Sequence, residues 1–456
     1  MQVFNKLFFF LQPSPYLPEM TDPEKVQSEY RYWRIRTFYS IYLGYALFYF
    51  TRKSFTFAMP AMITELGMSK ADLGFLGTIL YVSYGLSKFG SGILSDKANP
   101  RYVMGIGLIL TGLCNLFFGM SSSLLFFAIF WGLNGVFQGW GWPSCTKLLM
   151  HWYSRSERGR WWSLHSTSHN LGGALIPLIA AFAATHWGWR AALWVPAVIC
   201  MVAGLWLIRQ LRDVPQTMGL PCVEKFRGEP ITEASIAEAA APELSVRQIL
   251  FTHILNNPYV WVLSLSYFFV YIVRTAVNDW GVLYLVQAKG YSNIAAAGAV
   301  SWFEVGGFLG TLSIGWASDA IFRGHRVPAM LACAAGLLVI CGVYWQYPGQ
   351  ALWIDSLWMA AVGFLIFGPQ LLVGIAAAEY VDKKASCTAN GFAGCFAYIG
   401  AASTGYPLGK IIDVWGWEGF FLTLMICTAA VFVVLLPLAR SHRPKAALHE
   451  ASAAAS

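Results

Sequence analysis

The sequence predicts an all-α polytopic membrane protein, with twelve transmembrane helices arranged as two pseudo-symmetric halves of six. Three observations predict it. Apolar residues make up 57% of the chain and charged residues only 12%, against about 25% charged in a soluble domain. The apolar residues gather in stretches of about 20, the length that crosses a hydrocarbon core of about 30 Å. Several short patterns in the first half return in the second at nearly the same offset.

In chain order, residues 1–36 form an N-terminal tail. Its apolar run, Leu7 to Leu11, is followed by Pro13 and Pro15, is too short to span, and has no small-residue cleavage site. A cytoplasmic tail touching the interface is expected. Apolar stretches then fall at about 37–63, 71–95, 102–121, 123–150, 161–186 and 190–209, giving a first half of residues 37–209. Residues 210–256 carry Pro215, Pro221, Pro230 and Pro242 in acidic, Ala-rich sequence, and read as a cytoplasmic linker with one short surface helix. Six further stretches, at about 257–288, 295–320, 327–346, 352–379, 387–412 and 417–438, make the second half, residues 257–438. Residues 439–456 are a small polar tail.

Charge orients the chain, because cytoplasmic loops concentrate Lys and Arg. Lys97, Arg101, Arg155, Arg158, Arg160, Arg212, Lys225, Arg227, Arg323, Arg326, Lys383 and Lys384 all fall in even-numbered loops. The odd loops hold only Lys70, Arg190 and Lys289. Both termini are therefore expected in the cytoplasm. The net charge of +8 sits beside apolar spans rather than in one run, so membrane topology explains it and nucleic acid does not. Nine cysteines are scattered singly without metal spacing and read as small buried hydrophobes. No P-loop, nucleophile motif or zinc spacing is present, so no enzyme activity, cofactor or metal is expected.

The repeat is carried by three marks. Tyr45, Tyr49 and Arg52 in span one answer Tyr267, Tyr271 and Arg274 in span seven. Ser95-Asp96 answers Ser318-Asp319, and Trp187-Gly188-Trp189 answers Trp415-Gly416-Trp417. An even number of spans per half makes the repeat parallel, with substrate expected at the repeat interface near the midplane.

Residues at i, i+4 and i+7 share a helix face, so each tyrosine-arginine pattern sets two phenols and a cation on one side of an apolar helix. Arg52 and Arg274 lie near the bilayer centre, where a cation costs about 2.5–3.5 kcal/mol and marks function by default. Tyr42 extends the first face, and Ser264 and Asn278 extend the second. His165 and His169 in span five, Tyr81, Tyr84 and Lys88 in span two, and Tyr398 in span eleven add to a cationic, aromatic cavity. A phosphate group suits it, since guanidinium binds phosphate through a planar fork. Two arginines across the axis would neutralise one phosphate, leaving Tyr45, Tyr49, Tyr267, Tyr271, Tyr398, Asn278 and His165 to select a hydroxylated body such as a sugar. Competing readings stand beside this one. Asp279 and Glu304 offer Arg274 a carboxylate partner, whereas span one has none before Glu65. His169 suits helix packing as well as ligation, and Lys88 suits a structural or gating role equally. Lys53 reads as a packing residue, and Gly306 and Gly310 as helix contacts. Asp96 and Arg101, Asp319 in the repeated loop, and Asp279 read as gating contacts.

At these residues the chain resembles a known family. Gly92 to Arg101 resembles the signature loop of the major facilitator superfamily, which implies its twelve-helix fold. Thr51-Arg-Lys-Ser-Phe55, Tyr84-Gly-Leu-Ser-Lys-Phe89, Phe137-Gln-Gly-Trp-Gly-Trp-Pro143, Ser156-Glu-Arg-Gly159, His169-Asn-Leu-Gly-Gly173, Arg212-Asp-Val-Pro-Gln216 and Gly219-Leu-Pro221 resemble the organophosphate:phosphate antiporters. Leu43 to Phe55, Asn278-Asp-Trp-Gly281 and Phe367-Gly-Pro-Gln370 are most similar to the hexose-phosphate sensor and transporter branch. The resemblance implies that Arg52 and Arg274 bind phosphate, with His169 as the binding-site histidine and Lys88 as the span-two lysine. It implies a monomer in a bacterial inner membrane that exchanges a sugar phosphate, glucose 6-phosphate above all, for inorganic phosphate by rocking of its halves. One departure keeps a second reading open. Gly400-Ala-Ala-Ser-Thr-Gly405 is uncharged where dedicated uptake members carry Asp and Lys, which resembles the sensor branch and implies a receptor signalling to a histidine kinase.

Overall fold

A computed structural model of the chain describes residues 12–228, 251, 254–381 and 386–440, and every long element among them is a helix. Span one is Pro23–Leu66, span two Lys70–Lys97, span three Pro100–Gly119 and span six Ala191–Gln210. Span four is broken into Leu124–Gln138 and Gly141–Trp152, and span five into Arg155–Ser166 and Ser168–Trp187. Spans seven to ten are Pro258–Lys289, Asn293–Ala320, Arg326–Gln346 and Leu352–Glu379. Span eleven is Ser386–Ser403 continued into Tyr406–Leu435, whose helix breaks at Gly416 to begin span twelve.

Sequence sets these boundaries through caps. Asn99 accepts from the Arg101 N–H with Pro100 in the first turn, and Asn257 accepts from Tyr259 and Val260 N–H groups with Pro258 beside it. Ser154 and Glu157 form a capping box at the start of span five. Each satisfies donors that a helix start leaves open. The repeated Trp-Gly-Trp turns out to be a turn device. Gly188 has φ 83° and Gly416 φ 64°, so in both halves the last loop is made by a backbone that only glycine adopts without strain. In both, the preceding tryptophan is exposed while the following one is more covered: Trp187 and Trp415 are 65% and 62% exposed, Trp189 3%.

The described residues form two compact units, one from Met1–Ala58 with Ser83–Pro242, the other from Met59–Val82 with Glu243–Ser456. In the first, Gly105 and Gly204 bring spans three and six to backbone contact; a Cβ at Gly204 would stand 2.6 Å from the Gly105 carbonyl oxygen. In the second, Gly306 and Gly310 do the same for spans eight and ten, with added Cβ atoms 2.0 and 2.1 Å from the Ala360 and Phe364 carbonyl oxygens. These are helix-packing glycines, as their spacing suggests.

The first unit also carries an ordered collar at the end that holds the N-terminus. Span one begins at Pro23, well ahead of its apolar stretch. The segment before it bonds to the chain after span six, Leu17 N–H to Gln216 O at 3.0 Å and Met20 N–H to Gly219 O at 2.8 Å. Tyr30 is fully buried, stacked on Phe226 at 3.9 Å and donating to the Pro221 carbonyl. Glu157 accepts from both Arg34 and Arg227, the latter at 2.6 Å. The short helix expected in the linker is Val223–Arg227; linker residues 229–250 lie outside the described residues.

Candidate functional site

In the first unit the site is built on the Tyr-Tyr-Arg face of span one. The Arg52 guanidinium sits over the Tyr49 ring at 4.6 Å and the Tyr84 ring at 4.5 Å. Such stacking on two ring faces stabilises a cation in an apolar setting. Its Nε and Nη2 both donate to Gln138 Oε1, at 3.2 and 3.1 Å. Gln138 is itself fixed: its Nε2 donates to the Phe48 carbonyl and Thr51 Oγ1, each at 3.0 Å. Asn134 and Asn115 both donate to the Thr51 carbonyl at 2.9 Å, and Ser54 donates to Asn115 Oδ1 at 2.7 Å. This amide network locks the turn of span one that presents Arg52. Because Gln138 is a neutral acceptor, it orients the guanidinium without cancelling its charge.

Gln138 carries no functional role in a reading of the sequence alone. The available signal was two amides, Asn134 and Gln138, four apart on one face of an apolar span.

Span five supplies the histidines in register with span one. The His165 ring lies 5.8 Å from Tyr45, and the His169 ring 5.9 Å from Tyr49. They stand one turn apart on either side of Thr167, whose backbone stays in the right-handed helical region and whose hydroxyl bonds Tyr42 OH at 2.9 Å. His165 is fully buried, stacked on Trp142 at 5.5 Å, and both its ring nitrogens lack hydrogen-bond partners among the described residues. His169 is half-buried. Gly172, one turn beyond His169, lets the two helices touch: a Cβ there would stand 2.2 Å from the Ala46 carbonyl oxygen. Lys88 is half-buried one turn past Tyr84 on span two.

In the second unit Arg274 repeats the arrangement with one change. It lies over Tyr271 at 5.5 Å and over Phe367, from span ten, at 4.6 Å. Tyr267 and Tyr271 meet edge to face at 4.9 Å, and Tyr271 meets Tyr398 at 6.0 Å, so all three phenols share one wall. Asn278 donates to the buried Glu304 at 2.9 Å. Asp279 accepts from Tyr81 OH at 2.6 Å, tying span seven to the outer part of span two.

The expected gating residues fall in separate settings. Asp319, 68% exposed at the side chain, pairs with Arg326, which also donates to Glu379 at 3.1 Å. Arg101 turns to the end of span six, donating to the Ile208 carbonyl. The Asp96 side chain lies outside the described residues.

The sequence profile of the Major Facilitator Superfamily matches residues 41–402. A probable hexose phosphate transport protein of Chlamydia trachomatis is 52% identical over 96% of this chain and 97% of its own length. The membrane sensor protein UhpC of Escherichia coli is 47% identical over 96% and 99%, and a glycerol-3-phosphate transporter of Bacillus subtilis is 36% identical over 94% and 96%. Among solved structures, a bacterial homologue of the lysosomal transporter Spinster, in an inward-facing state, matches with TM-score 0.69 at 15% identity, covering 89% of this chain and 95% of that one. That likeness speaks for the fold. With twelve spans, the repeated marks and these relatives together, the chain belongs to the major facilitator superfamily, a multi-pass membrane transport protein rather than an enzyme, in the same family as these hexose phosphate and glycerol-3-phosphate transport proteins.

Proposed function

We propose that the protein exchanges a sugar phosphate, glucose 6-phosphate as the first choice, for inorganic phosphate by alternating access across a bacterial inner membrane, as a monomer with both termini in the cytoplasm. One observation carries this reading most directly. Arg52 is positioned by a neutral amide, 3.1 Å from Gln138 Oε1, and lies over the Tyr49 and Tyr84 rings on the tyrosine-arginine face that recurs at Arg274. A phosphate of about −1.5 to −2 charges is the complement of such a cation and its counterpart Arg274. His169 and Lys88 join these two as phosphate ligands. Tyr45, Tyr49, Tyr267, Tyr271, Tyr398 and Asn278 select the sugar, with His165 supporting Tyr45 from behind. Asp96, Arg101, Asp319 and Asp279 act at the gates. The relative named as a hexose phosphate transport protein, at 52% identity, supports the substrate class.

A second reading is a receptor for the same ligand that signals to a histidine kinase. The uncharged Gly400–Gly405 stretch favours it, since here it is committed to packing. The Thr404 carbonyl accepts from Trp280 at 2.8 Å, and the Ala402 carbonyl accepts from Thr78 at 2.9 Å. The relative named as a membrane sensor points the same way.

Counterflow separates the two. Proteoliposomes loaded with inorganic phosphate should accumulate labelled glucose 6-phosphate. Retained binding with no uptake would remove the exchanger and leave the receptor.

A further inference from the structure

A second cationic site stands apart from the Arg52 face, at the polar end of span six in the first unit. Three guanidinium groups converge on the last carbonyls of that helix. Arg36 donates to Arg209 O at 3.4 Å, Arg212 to Arg209 O at 3.1 Å and to Leu211 O at 2.8 Å, and Arg101 to Ile208 O. The exposed Arg209 side chain adds a fourth cation.

Helix-end capping explains why one cation is there, because carbonyls at a C-terminus carry partial negative charge. It does not explain four. None of the four arginines forms an ion pair with a carboxylate among the described residues. The carboxylates on the same segments are engaged elsewhere: Asp213 with Ser14 and Lys147, Glu29 with Trp33. Each guanidinium has five N–H donors, more than these bonds and that of Arg36 to Tyr32 OH use among the described residues, and the buried Arg36 Nε has no partner there. Arg212 is pushed below its ordinary basicity by partial burial first and then by the like charges of Arg101 and Arg36.

The setting says what kind of anion fits. Span six is the apolar helix Ala191–Gln210, so its end lies at headgroup depth. Leading up to it are residues open to lipid, Val198, Val202 and Leu205 on span six at 54%, 62% and 59% exposure, and Ile35 on span one at 57%. Span one touches span six here through the Tyr39 and Trp206 rings at 6.1 Å. We infer that Arg36, Arg101, Arg209 and Arg212 form a binding site for the phosphate of an anionic membrane lipid, whose acyl chains lie along the adjoining apolar faces of spans one and six. Basic pockets between helices at a membrane surface have this chemistry.

Native mass spectrometry of the full chain, released from nanodiscs holding equal phosphatidylglycerol and phosphatidylethanolamine, tests it. The unmodified chain should retain phosphatidylglycerol preferentially, and Arg36→Gln with Arg212→Gln should cut the preference about fivefold or more. Arg36→Lys with Arg212→Lys should keep most of it. Should the glutamine pair fail to fold, Arg209→Gln serves, because the Arg209 side chain bonds nothing among the described residues; it should lower the preference by a smaller factor. A preference that survives the glutamine pair, or equal retention of both lipids by the unmodified chain, overturns the site. Thermal protection of lipid-stripped protein by inorganic phosphate, lost in the glutamine pair and unaccompanied by any lipid preference, overturns the lipid as occupant in favour of a free anion.

Discussion

At the scale of single residues, the Arg52–Gln138 pair decides how the site can work. A guanidinium near mid-membrane needs an acceptor, and a carboxylate would answer that need at the expense of ligand binding. The neutral Oε1 at 3.1 and 3.2 Å supplies one and adds no negative charge of its own. Gln138→Glu should therefore pair with Arg52 and raise the half-saturating phosphate concentration about tenfold or more, and it should also lower the thermal midpoint, because the Nε2 bonds to the Phe48 carbonyl and Thr51 hydroxyl are lost. Equal affinities for phosphate in an equilibrium binding assay would remove this account. Arg52→Lys and Arg274→Lys should each lower sugar-phosphate uptake by at least about tenfold, since a point charge lacks the fork that matches phosphate. Normal counterflow by both variants would end the two-arginine reading. His165 differs from His169 in its setting at this scale: it is fully buried, beside Tyr45 and stacked on Trp142, whereas His169 is half-buried.

Elements position these residues through glycine. At Gly172 the span-five backbone meets span one so closely that even a methyl group would stand 2.2 Å from the Ala46 carbonyl oxygen. Gly172→Ala should push span five outward, separate His169 from Tyr49, and cost about 1–3 kcal/mol. The readout is a lowered thermal midpoint together with lost uptake; an unchanged chain would mean the helices have slack there. Gly188 and Gly416 act through backbone conformation instead, since nothing crowds either position. Replacing either by Ala should cost about 1–3 kcal/mol of strain. Because the two turns are equivalent, their effects on the midpoint should be similar, and a large effect at one alone would argue against a common device.

For the whole molecule, the collar ties the chain before span one to the linker after span six. Glu157 is its electrostatic hub. Burial alone would raise its carboxyl, but the bonds from Arg227 and Arg34 outweigh this and hold it below the ordinary carboxylate range. A depressed carboxyl contributes stability that is complete above its unfolded value, about 4.3, and disappears as pH falls through the folded value. The collar should stay protease-resistant at neutral pH and open to limited proteolysis near Arg227 only in acid. Glu157→Gln should show the open pattern already at neutral pH. Cleavage that is insensitive both to acid and to this substitution would show that the aromatic stack on Tyr30 holds the collar alone.

How much of this was legible in advance follows from the range of each interaction. Helix period and apolar length are local, so twelve spans, the shared faces of Tyr45, Tyr49 and Arg52 and of Tyr267, Tyr271 and Arg274, and the packing role of Gly306 and Gly310 could be read from spacing. The repeat of Trp-Gly-Trp was visible too, though not that its glycines adopt positive φ. The partner of Arg52 was not legible, because Gln138 is 86 residues away and reaches it only when span four packs on span one. The same holds for the gathering of Arg36, Arg101 and Arg212 on one helix end. The sequence by itself determined the class of membrane protein and which residues share a helix face, since these depend on apolar length and periodicity along one helix. Tertiary structure alone decided which side chains hold each charge, because hydrogen bonds between spans depend on the register at which neighbouring helices lock.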